Sequence, residues 1–73
     1  MNQEEYYKRT LEALRAELDH EKVFVNNLQK DIEKMQQEGL TQLDSFREVL
    51  AEREAKRDSV ARAIENLEAS VRK

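Results

Sequence analysis

The sequence predicts an all-α fold, an antiparallel two-helix hairpin of the coiled-coil type that turns at Gly39. Apolar residues recur at alternating steps of three and four on both sides of the middle of the chain, which is the a/d pattern of a coiled coil. The only glycine of this 73-residue chain, which has no proline, separates the two patterned segments. We therefore expect a single domain over residues 1–73, with helices at about 2–38 and 41–72 and a turn at 38–41.

The first helix is expected to begin with Asn2 as its N-cap, because Glu5 stands three residues later, where the carboxylate of a capping box belongs. Its a/d seam, the stripe of residues that faces the second helix, continues to the end of the segment and is interrupted by Glu21. The apolar members of this seam are Tyr7, Leu11, Leu14, Leu18, Val25, Leu28, Ile32 and Met35.

The second helix has its own start and stop signals. Thr41 and Asp44 have the spacing of an N-cap and its N3 residue. Arg72 and Lys73 place positive charge at the C-terminal end, where the helix dipole favours it. The seam of this helix has Arg53 and Arg57 at two of its places, and its apolar members are Leu43, Phe46, Leu50, Val60, Ile64, Leu67 and Val71.

The two seams fit one antiparallel register. Facing residues of an antiparallel pair have sequence numbers with a constant sum, and here Met35 with Leu43 and Tyr7 with Val71 both give 78. In this register Glu21 faces Arg57. We expect the two to form a structural ion pair that sets the register, as polar residues at a and d positions commonly do.

Two other arrangements are compatible with the same pattern. The change of phase after Met35 could be a stutter in one continuous helix of a parallel coiled coil. That arrangement would place Gly39 inside a helix, at a cost of about 1 kcal/mol, and would leave Glu21 without its opposed cation. A domain-swapped dimer would keep the pairings of the hairpin but form them between two chains.

Phe24 and Val23 lie outside the seam, and a two-helix hairpin cannot bury them both. We expect an interface on this side, used either by a second copy, which would give a homodimeric four-helix bundle, or by another protein. An isolated exposed aromatic residue is the ordinary alternative. The residues assigned to the interface are Tyr6, Ala13, His20, Val23, Phe24, Asn27, Val49, Lys56 and Ala63.

Composition disfavours several classes of function. Charged residues make up 40% of the chain, the net charge is −3 and the mean hydropathy is −0.96. These values do not favour nucleic-acid binding, and no apolar run is long enough for a membrane span. The N-terminus is acidic, unlike a signal peptide, and cysteine is absent. A cytoplasmic location is therefore expected.

No motif of catalysis or metal binding is convincing. Glu17 and His20 have the Glu-x-x-His spacing of di-metal four-helix bundles, but the residue expected to point inward is Leu18, so both should be solvated. The sequence contains no nucleophile–base pair and no phosphate-binding loop. We expect no enzyme activity, no cofactor and no metal, and we interpret Glu21 and Arg57 as structural.

The expected function is that of a small interaction protein that binds and regulates or inhibits a larger protein. Phages and mobile elements encode regulators of this kind, and secretion co-chaperones are similar in size. One alternative is a structural or scaffolding coiled-coil subunit. A second is an RNA-binding hairpin dimer that uses Arg47 and Arg62, although Glu48 and Glu52 nearby would repel phosphate.

Overall fold

The structure is a computed structural model that describes residues 3–71. Two helices, α1 (Gln3–Gln37) and α2 (Asp44–Val71), pack against each other as a helical hairpin with dimensions of 56 × 16 × 15 Å. The predicted all-α class and the helical hairpin are confirmed. The N-cap assigned to Asn2 and the closing charges assigned to Arg72 and Lys73 lie outside the described residues.

The two helices are antiparallel. Near the open end of the hairpin, Nη2 of Arg15 lies 3.7 Å from Oε2 of Glu68. At the open end itself, a shallow depression is lined by residues from the start of α1 and the end of α2, which are Gln3, Glu4, Tyr7, Ser70 and Val71. The first turn of one helix therefore lies beside the last turn of the other.

The end of α1 is closed by a Schellman motif with Gly39 at its left-handed position. The backbone N–H of Gly39 donates to the carbonyl of Gln36, and that of Leu40 donates to the carbonyl of Met35, each at 3.0 Å. These are the two bonds of the motif. Gly39 has a φ of 85°, and a Cβ built there would meet nothing within 4 Å. The position therefore requires glycine because of its backbone conformation and not because of space.

Helix α2 begins at Asp44, later than the predicted start at 41. The backbone N–H of Arg47 donates to the carbonyl of Leu43 at 3.0 Å, so Leu43 and not Thr41 occupies the N-cap. Packed helix axes are about 8–10 Å apart, and each extended residue spans about 3.3–3.6 Å. A few non-helical residues are therefore needed to cross between the helices. Leu43, at the end of this crossing, is buried.

The core consists of residues that the seams predicted. Its buried apolar members are Val25, Ile32, Leu43, Val60 and Ile64, and the buried charged residue is Glu21. Two predicted members are more exposed. Phe46 and Val71, expected to face Ile32 and Tyr7, are 41% and 55% exposed. Both lie near an end of α2, where the opposite helix covers a side chain less completely.

Candidate interaction surface

A buried carboxylate joins the two helices near the middle of the hairpin. Glu21 of α1 is only 3% exposed. Its Oε1 lies 3.4 Å from Nη1 of Arg53 and 3.4 Å from Nζ of Lys56, both of α2. Its Oε2 is buried without a hydrogen-bond partner. Burial of a charge is expensive unless it is paired, so the two cations are what make this position tolerable.

The ion pair predicted between Glu21 and Arg57 is corrected by this geometry. Nε of Arg57 donates instead to Oδ1 of its neighbour Asp58, at 3.1 Å. The constant-sum rule places backbone positions opposite each other, but each seam residue packs among four residues on successive turns of the other helix. Side-chain conformation then decides which nearby cation contacts the carboxylate of Glu21. The sequence numbers alone do not specify this choice.

Arg53 also covers the aromatic residue that lies outside the seam. Its guanidinium carbon is 4.7 Å from the centroid of the Phe24 ring, within the range of a cation–π interaction. Phe24 nevertheless remains 39% exposed. One guanidinium thus holds both the buried carboxylate and an aromatic ring, and the ring keeps a surface that another molecule could cover.

Lys56 connects the buried carboxylate of Glu21 to the protein surface. Its Nζ lies 3.8 Å from Oε1 of Glu17 in addition to its contact with Glu21. The side chains of Lys56 and Glu17 are 50% and 45% exposed, so this contact is a surface ion pair. Such a pair contributes at most about 1 kcal/mol. Its structural consequence is to neutralise two of the few charges on this side of the hairpin.

The residues predicted for the interface are mostly exposed. Tyr6, Val23 and Val49 are 67%, 59% and 41% exposed. Ala13, His20, Asn27 and Lys56 are also exposed, whereas Ala63 is half-buried. Val23 points away from the other predicted interface residues. It lies at an f position, opposite the seam, and is rotated by about 100° from its neighbour Phe24.

We define the charge-poor face as the c and g positions of both helices, which lie together on one side of the seam. The pair Glu17–Lys56 shows that g positions of the two helices approach each other here. Five residues of this face carry charge: Glu17, Asp31, Lys34, Glu52 and Lys56. Its other members are Gln3, Tyr6, Thr10, Ala13, His20, Phe24, Asn27, Ser45, Val49, Ser59, Ala63, Asn66 and Ser70.

The b and e positions form the opposite side, which we call the charged face. Thirteen of its residues carry charge: Glu5, Lys8, Glu12, Arg15, Asp19, Lys22, Glu33, Asp44, Arg47, Glu54, Asp58, Glu65 and Glu68. A surface that must remain in water is typically charged, whereas the cores of protein interfaces are depleted in charge. The asymmetry therefore distinguishes one side of the hairpin as the better candidate for binding.

Sequence reasoning missed two exposed residues that border the charge-poor face. Arg53 was assigned to the seam, yet its side chain is 41% exposed and stacks on Phe24. Phe46 was also assigned to the seam and is 41% exposed. The d positions of α2 adjoin the g positions of the charge-poor face, but this adjacency does not specify the direction of a long side chain or the separation of the helix ends.

Neither a group of metal ligands nor a membrane-spanning helix is found among the residues that the structure describes. Within residues 3–71, no three His, Cys, Asp or Glu side chains are grouped so that they could hold a metal ion. Glu17 and His20, which have the spacing of a metal motif, are both exposed. Over the same residues, neither helix has the length and apolar character needed to cross a membrane.

Comparison with protein-family models, with curated proteins and with solved structures finds no match for this chain.

Proposed function

We propose that this chain is a non-catalytic interaction protein that binds a larger protein through the charge-poor face and so regulates or inhibits it. The observation that carries the proposal is the exposure of Phe24 and Val49 on a face with few charges, opposite a face that is densely charged. Protein interfaces are enriched in aromatic residues and depleted in charge at their centre.

Phe24 has the properties of a binding hot spot. It lies towards the middle of the hairpin, and its ring is held by the guanidinium of Arg53 at 4.7 Å. A side chain that is already held in place loses less conformational freedom when a partner covers it. Its exposed part, together with Val49, would supply the apolar contact, and the neutral polar residues around it would form the rim.

The ionised residues near Phe24 are better suited to structure than to catalysis. The carboxylate of Glu21 is 3% exposed, so a substrate could not reach it without separation of the helices. Its oxygen Oε1 is already held by Arg53 and Lys56. This arrangement supports a binding role without catalysis.

We further propose that the chain reverses direction at Gly39 and that two copies associate as a four-helix bundle. The positive φ of Gly39 and its Schellman hydrogen bonds support the reversal. The exposed apolar residues of the charge-poor face support the association, because a second helical layer would bury them.

Affinity purification of the tagged chain from its source cells, followed by mass spectrometry, tests the binding proposal. We expect the native chain to retain one discrete protein and the variants Phe24→Glu and Val49→Glu to lose it while circular dichroism shows the same helix content. Ala51→Glu is the matched control, because it adds the same charge at an exposed b position of the charged face. Recovery of the bait alone would contradict the proposal.

Two other outcomes would favour the alternative functions. Assemblies that grow with concentration in light scattering, without a captured partner, would favour a structural or scaffolding subunit. Retardation of RNA that weakens steeply with salt and is lost when Arg47 and Arg62 are changed to Glu would favour RNA binding.

A further inference from the structure

We propose that a second copy of this chain occupies the charge-poor face head to tail, so that the turn end of one hairpin lies beside the open end of the other. The inference rests on the proposed function, because it assigns the dimer partner to the proposed binding face, so that the dimer separates before a larger protein binds there. It adds the direction of the partner and the pairs of residues that would meet.

The distribution of side-chain size along the face supports this arrangement. Of its exposed large apolar residues, Phe24 and Val49 lie in the half nearer the turn, where Phe46 adjoins them, and Tyr6 lies near the open end. The half nearer the open end carries mainly small or neutral residues, which are Thr10, Ala13, Ser59, Ala63, Asn66 and Ser70. Well-packed interfaces place large side chains opposite small ones.

A head-to-tail dimer brings these two halves together. Its twofold axis crosses the hairpin at the middle of the helices, near His20 in α1 and between Arg57 and Asp58 in α2. Each α1 then lies beside the partner α1, and each α2 beside the partner α2. Because both helices rise evenly along the chain, residues equally far from the axis in opposite directions meet.

The pairs that follow from this symmetry are compatible. Val49 meets Asn66 of the second copy, and Phe46 comes level with its Ser70. Phe24 lies between Ala13 and Glu17 of the second copy, and Glu17 is already paired with Lys56 of its own chain at 3.8 Å. Small or neutralised groups therefore oppose Phe24, Val49 and Phe46.

The remaining charges of the face also avoid one another. Asp31 meets Thr10, Lys34 meets Tyr6, and Glu52 comes level with Ala63 of the second copy. Lys56 meets Ser59 of the second copy, and the two copies of Lys56, three residues apart along the helix, are each paired with Glu17 of their own chain. His20 lies opposite its own copy.

A head-to-head dimer fits less well. Its twofold axis runs along the hairpin, so that each α1 lies beside the partner α2 at the same level. Phe24 would then lie between Lys56 and Glu52 of the partner, and Val49 would lie between its Asn27 and Asp31. Apolar side chains would cover charged ones, and removal of charge from water is unfavourable unless each charge gains a partner.

The size of the face is sufficient for a stable dimer. The hairpin is 56 Å long and 16 Å wide. A face of these dimensions is comparable with the roughly 800 Å² that each partner buries in a standard stable interface.

A distance measurement between spin labels tests the direction of the partner. Thr41→Cys introduces the only cysteine of the chain, at an exposed position in the connection between the helices. In a head-to-tail dimer, the two labels lie at opposite ends of the bundle, so we expect a separation approaching the 56 Å length of the hairpin. Labels separated by less than half that length would overturn the head-to-tail direction while leaving the dimer intact.

Sedimentation equilibrium of matched variants tests the face. We expect Val49→Glu to raise the dissociation constant of the dimer at least about tenfold, since it places an unpaired charge in the interface. Ala51→Glu on the charged face should leave that constant unchanged. A larger increase of the dissociation constant for Ala51→Glu than for Val49→Glu would overturn the choice of face. A native chain that stays monomeric at tens of micromolar would overturn the dimer. Neither outcome decides whether a cellular protein is captured, so the binding proposal is judged separately.

Discussion

Nη1 of Arg53 lies 3.4 Å from Oε1 of Glu21, and the same guanidinium lies 4.7 Å from the centre of the Phe24 ring. One side chain of α2 therefore contacts both a buried charge and an exposed aromatic residue of α1. The contact with Glu21 helps to define how the helices pair. The contact with Phe24 shapes the surface that we propose for binding, so stability and recognition share a residue.

Replacement of Glu21 by leucine should stabilise the hairpin. Leucine would complete the apolar seam and remove the buried oxygen that has no partner. Arg53 and Lys56, whose side chains are 41% and 50% exposed, can return to water. Substitution of buried ion pairs by apolar residues is often neutral or stabilising by about 1–4 kcal/mol. We expect a gain of about 1 kcal/mol, measured by thermal denaturation at one fixed protein concentration.

The control for this change is Glu48→Leu, at an exposed f position that lies on neither face. It should alter the free energy of unfolding by less than about 0.5 kcal/mol, as is usual for surface positions. A lower melting temperature for Glu21→Leu than for the native chain would show that the carboxylate itself stabilises the hairpin.

Replacement of Gly39 by alanine should destabilise the hairpin through the backbone alone. Gly39 has a φ of 85°, and a Cβ there would meet nothing within 4 Å. The left-handed conformation costs a residue with a side chain about 1–2 kcal/mol. In a domain of this size each 1 kcal/mol lowers the melting temperature by roughly 4–8 °C. Chemical denaturation would measure the same loss.

Asparagine at position 39 provides the matched comparison, because it tolerates the left-handed region better than alanine does. We expect Gly39→Asn to lie between the native chain and Gly39→Ala in stability. Equal stability of all three proteins would show that residue 39 does not adopt the left-handed conformation in solution.

Reversal of the charge of Lys56 should weaken the contact between the helices. Its Nζ lies 3.4 Å from Glu21 and 3.8 Å from Glu17, so Lys56→Glu would bring a third carboxylate towards two others. We expect a loss of more than about 1 kcal/mol, part of which salt should screen. Urea denaturation at low and high ionic strength measures both effects.

Two further variants separate this local repulsion from a general charge effect. Lys30→Glu makes the same change at an exposed f position, away from the seam, and should have little effect. Glu17→Lys combined with Lys56→Glu should recover part of the loss, as a double-mutant cycle would reveal. Equal losses for Lys30→Glu and Lys56→Glu would argue against a local contact of Lys56.

Core packing should matter most at the buried seam residues. Ile32 is 5% exposed, and removal of one buried methyl group by Ile32→Val typically costs about 0.5–1.5 kcal/mol. Val23 is 59% exposed, so Val23→Ala should change stability by less than about 0.5 kcal/mol. Melting temperatures of the two variants would compare them directly. A larger loss at Val23 would mean that this residue is covered in solution.

Much of the fold could be predicted because the signals are local and periodic. The alternation of three and four residues identified both helices and the members of the seam, including the buried residues Val25, Ile32, Val60 and Ile64. The position of Glu21 in that pattern also predicted a buried charge that needs a cation from the other helix. The spacing of apolar residues shows which side of a helix is apolar, and this side is buried when the helices pack.

The candidate site could be predicted only in part. Exposure of Phe24 and Val49 followed from their places outside the seam, and the structure agrees. The stacking of Arg53 on Phe24 could not be inferred, because a long side chain at the edge of a seam can turn inwards or outwards. The exposure of Phe46 was missed because the pattern does not show how closely the ends of two helices approach.

The spacing of apolar residues was thus enough to predict two helices and their antiparallel match, because helical periodicity is a property of the sequence itself. Tertiary structure alone decided that Glu21 is held by Arg53 and Lys56 and that α2 begins at Asp44. These features depend on the distance between the helix axes and on the conformations of long side chains. Both arise only when the two helices pack against each other.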